Sequence, residues 1–300
     1  AILVIASIVL LFTKGVNFGI DFAGGTIVQV QYEQKAPIDK IREILNNTSE
    51  YNNSSITKFG SDEEIVIRVT TSSTSISNDL GDEIRKVLSE TGKFEIRRVD
   101  IVGPKVGGEL REKGLMAFCL SLIVILIYVS FRFEWRFAVA SILALAHDVI
   151  IALGAISLFN VEVNLDILAA ILTILGYSLN DTIIVFDRIR EGVQTSKEED
   201  LDNVINDSVS KTLSRTTLTS LTTFFVVATL FFFGGEIIHG FAFTMLVGVI
   251  VGTYSSIFIA ATFLVLLKFS MSDFRAKEAE KLKKEKEKEK LRAMYEQGTV

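Results

Sequence analysis

The residues that could do chemistry in this 300-residue chain are carboxylates inside long apolar segments. Asp181 lies within the apolar segment 165–187, beside Asn180. An ionisable group at such a depth costs about 2.5–3.5 kcal/mol on insertion scales, so its presence requires a reason. Desolvation favours the neutral carboxyl group and a nearby cation favours the carboxylate, so the side chain can exchange a proton. Asp181 is therefore a candidate proton carrier, and a structural ion pair is the alternative.

The natural cation for Asp181 is Arg215, which opens the apolar segment 215–234. Thr219 and Thr222 follow Arg215 at helical spacing, so hydroxyl groups run inward from the guanidinium group. The alternative is a cytoplasmic arginine at the membrane boundary, followed by hydroxyl groups that hold helices together. We predict that Asp181 and Arg215 form a proton relay, with Asn180 and Thr219 as secondary members.

A second ionisable pair, His147 and Asp148, lies near the middle of the apolar segment 137–159. The pair could relay protons, or it could close a buried hydrogen-bond network. The sequence leaves these two interpretations open, so both residues are secondary relay candidates.

Enzyme motifs give no competing explanation for these residues. Asp181 ends the sequence GYSLND, which differs from the Gly-x-Gly-Asp motif of intramembrane aspartyl proteases. The chain has neither a His-Glu-x-x-His motif nor a P-loop lysine motif. No His, Cys or carboxylate set has metal-ligand spacing. We therefore expect a protein that is not an enzyme, holds no metal or cofactor, and takes any energy that it uses from an ion gradient.

Long apolar segments must position these residues. We predict six transmembrane helices, at residues 1–18, 114–131, 137–159, 165–187, 215–234 and 239–267. The first apolar run is short, so we expect the chain to begin within its first transmembrane helix, with N-terminal residues missing. Small residues recur every four positions in the sixth segment, which predicts close helix packing at Gly248, Gly252, Ser256 and Ala260.

Basic residues in the short connections predict the orientation. Arg132 and Arg136 lie in the connection between the second and third segments, whereas connections 160–164 and 234–240 have no Lys or Arg. The positive-inside rule therefore places both termini in the cytoplasm and residues 19–113 on the far side. The charged tail, residues 268–300, is predicted to be cytoplasmic and largely a solvated helix.

Residues 19–113 predict an inserted α+β domain. Alternating segments near 26–33, 55–59, 64–70 and 94–102 predict strands, and apolar stripes in 37–47 and 80–88 predict helices, the second capped by Asn78. The order is βαββαβ, a ferredoxin-like pattern that by itself proves no function. Glycines at the two junctions with the membrane segments, namely Gly24, Gly25, Gly107 and Gly108, predict hinges or turns.

Four stretches of this chain match a known family. They are NFGIDFAGGT at 17–26, VGPKVG at 102–107, GYSLNDTIIVFDRIRE at 176–191 and SRTTLTSLTT at 214–223. With these motifs the chain resembles the SecF branch of the SecD/SecF family of protein-export membrane proteins, in the resistance–nodulation–division superfamily. The match is spread over nearly the whole chain and leaves out the tail after about residue 272.

The resemblance implies a function in protein export. Members are bacterial inner-membrane proteins that are thought to use the proton-motive force to assist translocation of preproteins. The implied partners are SecD, the SecYEG channel, a YajC-type accessory protein, translocating preproteins and membrane lipid, with no nucleic acid. The resemblance puts Asp181 and Arg215 on the family's proton path, and Asp148 on its third-span His-Asp pair. From the residues alone, half of a proton-coupled small-molecule efflux transporter and a passive membrane scaffold stay open.

Overall fold

In the computed structural model, a bundle of long apolar helices carries a small sheet domain inserted near its N-terminal end. The structure describes residues 1–48, 51, 54–69, 80–196, 198 and 200–296. The elements are α1 Ile2–Thr13, α2 Ile20–Ala23, β1 Gly25–Tyr32, α3 Ile38–Asn47, β2 Ser55–Phe59, β3 Ser61–Val69, α4 Leu80–Val87, β4 Phe94–Val102, α5 Pro104–Arg132, α6 Trp135–Leu158, α7 Leu165–Thr195, α8 Leu201–Phe233, α9 Glu236–Tyr254, α10 Ala260–Leu266 and α11 Met271–Glu296. A π-helical turn, Ser255–Ile259, joins α9 to α10.

The sheet domain has four antiparallel strands in the order β2-β3-β1-β4. Residues alternate along β1, so Val28 and Val30 are fully buried and the residues between them face away. The buried side packs against the apolar faces of α3 and α4, where Ile41 and Ile84 are also fully buried. The helix cap predicted at Asn78 lies outside the described residues.

Five helices of the described chain are long and apolar enough to cross a membrane: α5, α6, α7, α8 and the continuous helix Glu236–Leu266. The protein is therefore a multi-pass membrane protein. Hydropathy located the apolar part of each of these helices, and several of the helices extend beyond that part. Helix α5 begins at Pro104, ten residues before the predicted span, and α8 begins at Leu201, fourteen residues before its predicted span. Apolarity marks only the stretch that lies in lipid, whereas the helix continues through polar turns beyond it.

Two predicted turn positions lie instead inside a helix. Gly107 and Gly108 belong to the first turns of α5, because Pro104 stands at the first helical position and its fixed φ favours helix there. The boundary predicted at residue 113 accordingly falls within α5.

Helix α1 has twelve residues and packs against α6. The two helices meet where Ser7 lies against Gly154, and a Cβ atom on Gly154 would overlap the serine side chain. This close approach requires glycine and is typical of helices that associate within a membrane.

The charged tail is attached to the bundle at its start. Met271 and Phe274 are buried in the same apolar cluster as Phe137 and Phe186. Arg275 donates hydrogen bonds from Nε to the Val193 carbonyl oxygen, at 2.6 Å, and from Nη2 to the carbonyl oxygens of the following loop. Further along, α11 carries exposed pairs such as Lys284–Glu280.

Candidate functional site

Asp181 lies on α7, in the contact between α7 and α8, and its side chain is fully buried. The Ser220 hydroxyl group of α8 donates a hydrogen bond to Asp181 Oδ2 at 3.1 Å. The other carboxyl oxygen, Oδ1, has no hydrogen-bond partner among the described residues. Buried polar atoms in proteins are rarely left unpaired, so this oxygen is the natural position for a proton or a water molecule.

Helix α8 presents hydroxyl groups to α7 at every fourth residue. We call Ser208, Thr212, Thr216 and Ser220 the hydroxyl stripe, and all four are buried. At the N-terminal end of the stripe the Ser208 hydroxyl group donates to the Arg188 carbonyl oxygen at 3.2 Å. Thr216 Oγ1, one turn before Ser220, is buried without a hydrogen-bond partner in the described chain. The stripe therefore places polar atoms along α8 from Ser208 up to Asp181.

The stripe predicted from the sequence, at Thr219 and Thr222, lies on the exposed side of α8 instead. The Thr219 hydroxyl group donates to the Arg215 carbonyl oxygen at 2.9 Å, and the Thr222 hydroxyl group donates to the Thr219 carbonyl oxygen at 2.7 Å. Both hydroxyl groups are thus satisfied by their own helix backbone. Asn180 is likewise exposed, whereas Asp181 is buried.

Arg215, the predicted relay partner of Asp181, lies near it without a direct ion pair. Within the described residues, no ion pair of 4.0 Å or less joins them. Arg215 is exposed and lines a cleft of about 450 Å³ at the end of α5, together with Arg132, Asp187, Arg188 and Lys211. Ser220 is five positions after Arg215 in α8, which corresponds to roughly 7.5 Å along the helix axis. Arg215 therefore lies nearer than Ser220 to the N-terminal end of α8.

Asp148 differs from Asp181 because both of its oxygens are paired. His147 Nδ1 lies 2.9 Å from Oδ1, and the Ser178 hydroxyl group donates to Oδ2 at 2.6 Å. The Ser255 hydroxyl group, at the start of the π-helical turn, faces the same carboxyl group. The network therefore joins α6, α7 and the helix Glu236–Leu266 at a π-turn, a feature that often marks functional positions. Ser178 precedes Asp181 by three residues, so one turn of α7 separates the two aspartate sites.

Small residues on α9 allow this arrangement. A Cβ atom on Gly252 would lie 3.1 Å from Ser178 Cβ, and a Cβ atom on Gly248 would overlap the Ile174 side chain. Both glycines therefore bring α9 close to α7. Ser256 is fully buried and donates to the Thr253 carbonyl oxygen at 3.0 Å, and Ala260 is buried in the apolar cluster that contains Phe137 and Phe186.

The glycines between the sheet domain and the membrane helices are tightly packed. Gly24 has φ +81°, and a Cβ atom there would lie 2.9 Å from Pro104 Cα. A Cβ atom on Gly107 would lie 2.9 Å from the Gly24 nitrogen, whereas one on Gly108 would meet nothing within 4 Å. Gly25 also has positive φ, at +151°. Backbone packs against backbone here, which constrains the junction.

Sequence reasoning paired Asp148 with His147 but missed Ser178 as a partner of Asp148 and Ser220 as the partner of Asp181. Ser208, Thr212, Thr216 and Ser220 recur with a period of four, but that period does not show which side of α8 faces α7. In the described chain, no group of three or more His, Cys, Asp or Glu side chains is arranged to hold a metal ion.

Comparisons with known proteins bear on the whole chain. Residues 83–270 match the family described as "Protein export membrane protein SecD/SecF, C-terminal", and residues 9–36 match the "SecD/SecF GG Motif". The protein translocase subunit SecF of Helicobacter pylori is 50% identical over 300 residues, which is 100% of this chain and 93% of the relative. The subunit SecF of Vibrio alginolyticus is 44% identical over 281 residues, covering 93% of this chain and 89% of the relative.

Solved structures give the same result. The crystal structure of SecDF, a translocon-associated membrane protein from Thermus thermophilus, is 37% identical with a TM-score of 0.78. It covers 89% of this chain, and this chain covers 36% of it. A crystal structure of SecDF in a super-membrane-facing form is 36% identical with a TM-score of 0.68. The match covers 93% of this chain and 38% of the SecDF chain. This chain therefore spans little more than a third of those two proteins. The resemblance predicted from the four sequence stretches is confirmed, and the chain belongs to the SecD/SecF family of protein export membrane proteins.

Proposed function

We propose that this chain is a subunit of the Sec protein-export machinery that uses the proton-motive force to assist translocation of preproteins. Family membership and the naming of its relatives as protein translocase subunits support the export role. One observation supports the use of protons. Asp181 is fully buried between membrane helices, has one oxygen without a hydrogen-bond partner among the described residues, and ends the hydroxyl stripe, which starts near the cleft lined by Arg215.

In the proposed mechanism, Asp181 alternates between its protonated and ionised forms. The Ser220 hydroxyl group donates to Asp181 Oδ2, and a hydrogen bond to a charged oxygen is stronger than one to a neutral oxygen. Arg215 adds positive charge on the cytoplasmic side and favours the ionised form. Loss or gain of that charge in a low-dielectric interface changes the packing of α7 on α8.

The energy available fits a conformational role. One proton crossing the membrane supplies about 2.3 kcal/mol per 100 mV. Shifting a two-state equilibrium from 1:99 to 99:1 needs about 5.5 kcal/mol, so one proton shifts the orientation of a domain substantially but not completely. The proton gradient is the proposed energy source, without a cofactor.

The proposal includes a topology in the bacterial inner membrane. Six helices span the membrane, with the segment containing α1 as the first, both termini lie in the cytoplasm, and the sheet domain is periplasmic. The distribution of Lys and Arg in the short connections supports the orientation. The close contact of Ser7 with Gly154 supports α1 as a membrane helix. The strand order β2-β3-β1-β4, with α3 after β1 and α4 after β3, supports a ferredoxin-like domain.

SecD is the first proposed partner. The structural neighbours are titled SecDF, and this chain covers 36% and 38% of them, so SecD sequence is expected in the rest. Much of α5 and α8 presents exposed apolar side chains, such as Leu115 and Phe225, which fits helices that face lipid or a second membrane subunit. The SecYEG channel, a YajC-type protein and preproteins are further proposed partners.

The experiment is an Asp181→Asn substitution, assayed by preprotein export into inverted membrane vesicles with and without a proton gradient. Asparagine has nearly the same shape and can still accept the Ser220 hydrogen bond, but it cannot carry a proton. We expect export to lose its dependence on the gradient while the variant accumulates normally. Asp166→Asn, at the exposed start of the same helix, is the matched control and should behave like the wild type. A gradient response that survives in Asp181→Asn would remove Asp181 from the proton path.

A further inference from the structure

The segment between α1 and the sheet domain, residues 17–23, is bonded to the connection between α6 and α7. The Gly19 N–H group donates to the Val163 carbonyl oxygen at 2.8 Å, and the Val163 N–H group donates to the Asn17 carbonyl oxygen at 2.7 Å. The two segments run parallel to each other where Phe18 pairs with Val163. Reciprocal backbone bonds fix the segment relative to the end of α6 and the start of α7.

A side chain from this segment also accepts a hydrogen bond from a backbone N–H group at the start of α7. Asp21 Oδ2 accepts a hydrogen bond from the Leu165 N–H group, the first residue of that helix, at 3.0 Å. Asn164 caps the helix in the usual way, accepting from the Ile167 N–H group at 3.2 Å. A helix begins with N–H groups that lack partners, and a carboxylate there is stabilised by the helix dipole. Asp21 therefore binds the helix that carries Asp181.

The opposite side of the segment is equally constrained. Phe22 is buried against apolar side chains of α7, including Ile167 and Ile171. Its backbone lies against α5, because a Cβ atom on Gly107 would be 3.1 Å from the Phe22 carbonyl carbon. Directly after residue 23, Gly24 and Gly25 lead into the central strand β1.

By contrast, the sheet domain meets the helix Glu236–Leu266 at an exposed contact between β2 and α9. The Lys58 N–H group donates to Glu236 Oε2 at 2.8 Å. Beside this bond lies a cavity of about 500 Å³, lined by Arg68, Glu162 and His239 among others. A contact of this kind separates more easily than the paired backbone at residues 17–23.

We propose that residues 17–23 are a rigid coupler that fixes the base of the sheet domain to the N-terminus of α7, with Asp21 as its positioning residue. The inference rests on the proposed function, because α7 carries Asp181. A displacement of α7 moves the coupler with it, and the domain tilts about that base while the Lys58–Glu236 contact opens. The coupler itself does not open.

A disulfide tests this inference directly. A Cβ atom built on Gly19 would lie 3.5 Å from Asn164 Cβ, within the range of about 3.5–4.5 Å that disulfides require. In a Cys119→Ser background, the pair Gly19→Cys and Asn164→Cys should oxidise readily. A rigid coupler predicts that gradient-dependent export of the oxidised protein stays within about two-fold of the reduced protein, a difference below ~0.4 kcal/mol. Each single cysteine variant with the same oxidant is the control.

Two results would overturn the coupler. One is a disulfide that forms but reversibly stops gradient-dependent export, since the segment would then have to separate from α7. The other is a pair that fails to oxidise in the folded protein, since the two positions would then not be adjacent.

Substitutions of Asp21 provide a second, independent test of the coupler that leaves the Asn164 cap unchanged. Asp21→Asn keeps an oxygen that accepts from Leu165, so its gradient-dependent export should match the wild type. Asp21→Ala removes that acceptor and should reduce the gradient-dependent component about five-fold, the fold-change typical of one lost hydrogen bond, at equal protein levels in the membrane. Gradient-independent export should not change. Equal export by the Ala and Asn variants would show that Asp21 has no positioning role. If Asp181→Asn loses its response to the gradient while the disulfide and Asp21 tests give these negative results, the coupler is rejected and the proposed function is not.

Discussion

Two neighbouring glycines of α5 give the sharpest test of how the sheet domain is held. Gly107 and Gly108 are consecutive, and both lie in the first turns of the same helix. A Cβ atom on Gly107 would be 2.9 Å from the Gly24 nitrogen and 3.1 Å from the Phe22 carbonyl oxygen. Nothing lies within 4 Å of the same atom on Gly108. The substitutions Gly107→Ala and Gly108→Ala therefore make the same chemical change in two different environments.

The two substitutions are expected to have different effects on the free energy of unfolding. In a helix interior, replacing glycine by alanine stabilises by about 0.5–1 kcal/mol, and at Gly108 no steric term opposes this gain. At Gly107 the atoms in the way are backbone, which cannot move aside as a flexible side chain does. Overpacking typically costs about 1–3 kcal/mol, so Gly107→Ala should destabilise by about 0–2.5 kcal/mol after the helix gain is subtracted.

The measurement is thermal unfolding of the two purified variants in detergent, together with export activity. At roughly 2–4 °C per kcal/mol, Gly107→Ala should unfold several degrees below Gly108→Ala. The reasoning would be refuted if the two variants unfolded at the same temperature, or if Gly107→Ala were the more stable. Such a result would favour the flexible hinge that the sequence alone predicts at Gly107.

Two other predictions concern the helix contact near Asp148 and the sheet domain. Gly252→Ala should lower the stability of the protein by about 1–2 kcal/mol, because its Cβ atom would lie 3.1 Å from Ser178 Cβ. It should also lower gradient-dependent export. Gly176→Ala is the control and should stabilise the protein, because a Cβ atom there would meet nothing within 4 Å. Burial raises the pKa of the Tyr32 phenol above its ordinary value of 10.0, although the Thr91 hydroxyl group opposes the shift. The domain should therefore keep its stability below about pH 10 and lose it as the pH rises through the folded pKa. The Tyr32→Phe variant should lose less stability than the wild type as the pH rises above about 10, as measured by unfolding midpoints on both sides of that pH. An equal loss of stability in the two proteins would exclude Tyr32 as the cause.

The sequence located the candidate site because a carboxylate in an apolar segment is anomalous on its own. Asp181 could be identified from its neighbours in the chain, without any knowledge of other helices. Its partner could not, because a partner depends on which residues of α8 face α7. Arg215 attracts attention as an opposite charge, whereas Ser220 is one hydroxyl among several and is selected only by the rotation of its helix. Spacing alone does not distinguish the buried stripe from the exposed threonines beside it.

Junction glycines show a related limit. Glycine permits both flexible turns and close packing, so Gly107 in a sequence is ambiguous. The neighbouring Pro104 indicated the helix start, but the backbone of residues 22–24 that crowds Gly107 is far away in the chain. Hydropathy found the membrane helices for the opposite reason, since their signal is local and repeated over about 20 residues.

The π-helical turn at Ser255–Ile259 has a consequence for the row of small residues that crosses it. A π-turn holds one residue more than an α-turn, so the helix beyond it is rotated by roughly 100° relative to an uninterrupted α-helix. Gly248 and Gly252, before the turn, lie against α7, whereas Ala260, after it, belongs to α10, which packs mainly against α6. A row with one period in the sequence thus serves two neighbours, and the length of that turn determines which neighbour the final residues of the helix meet.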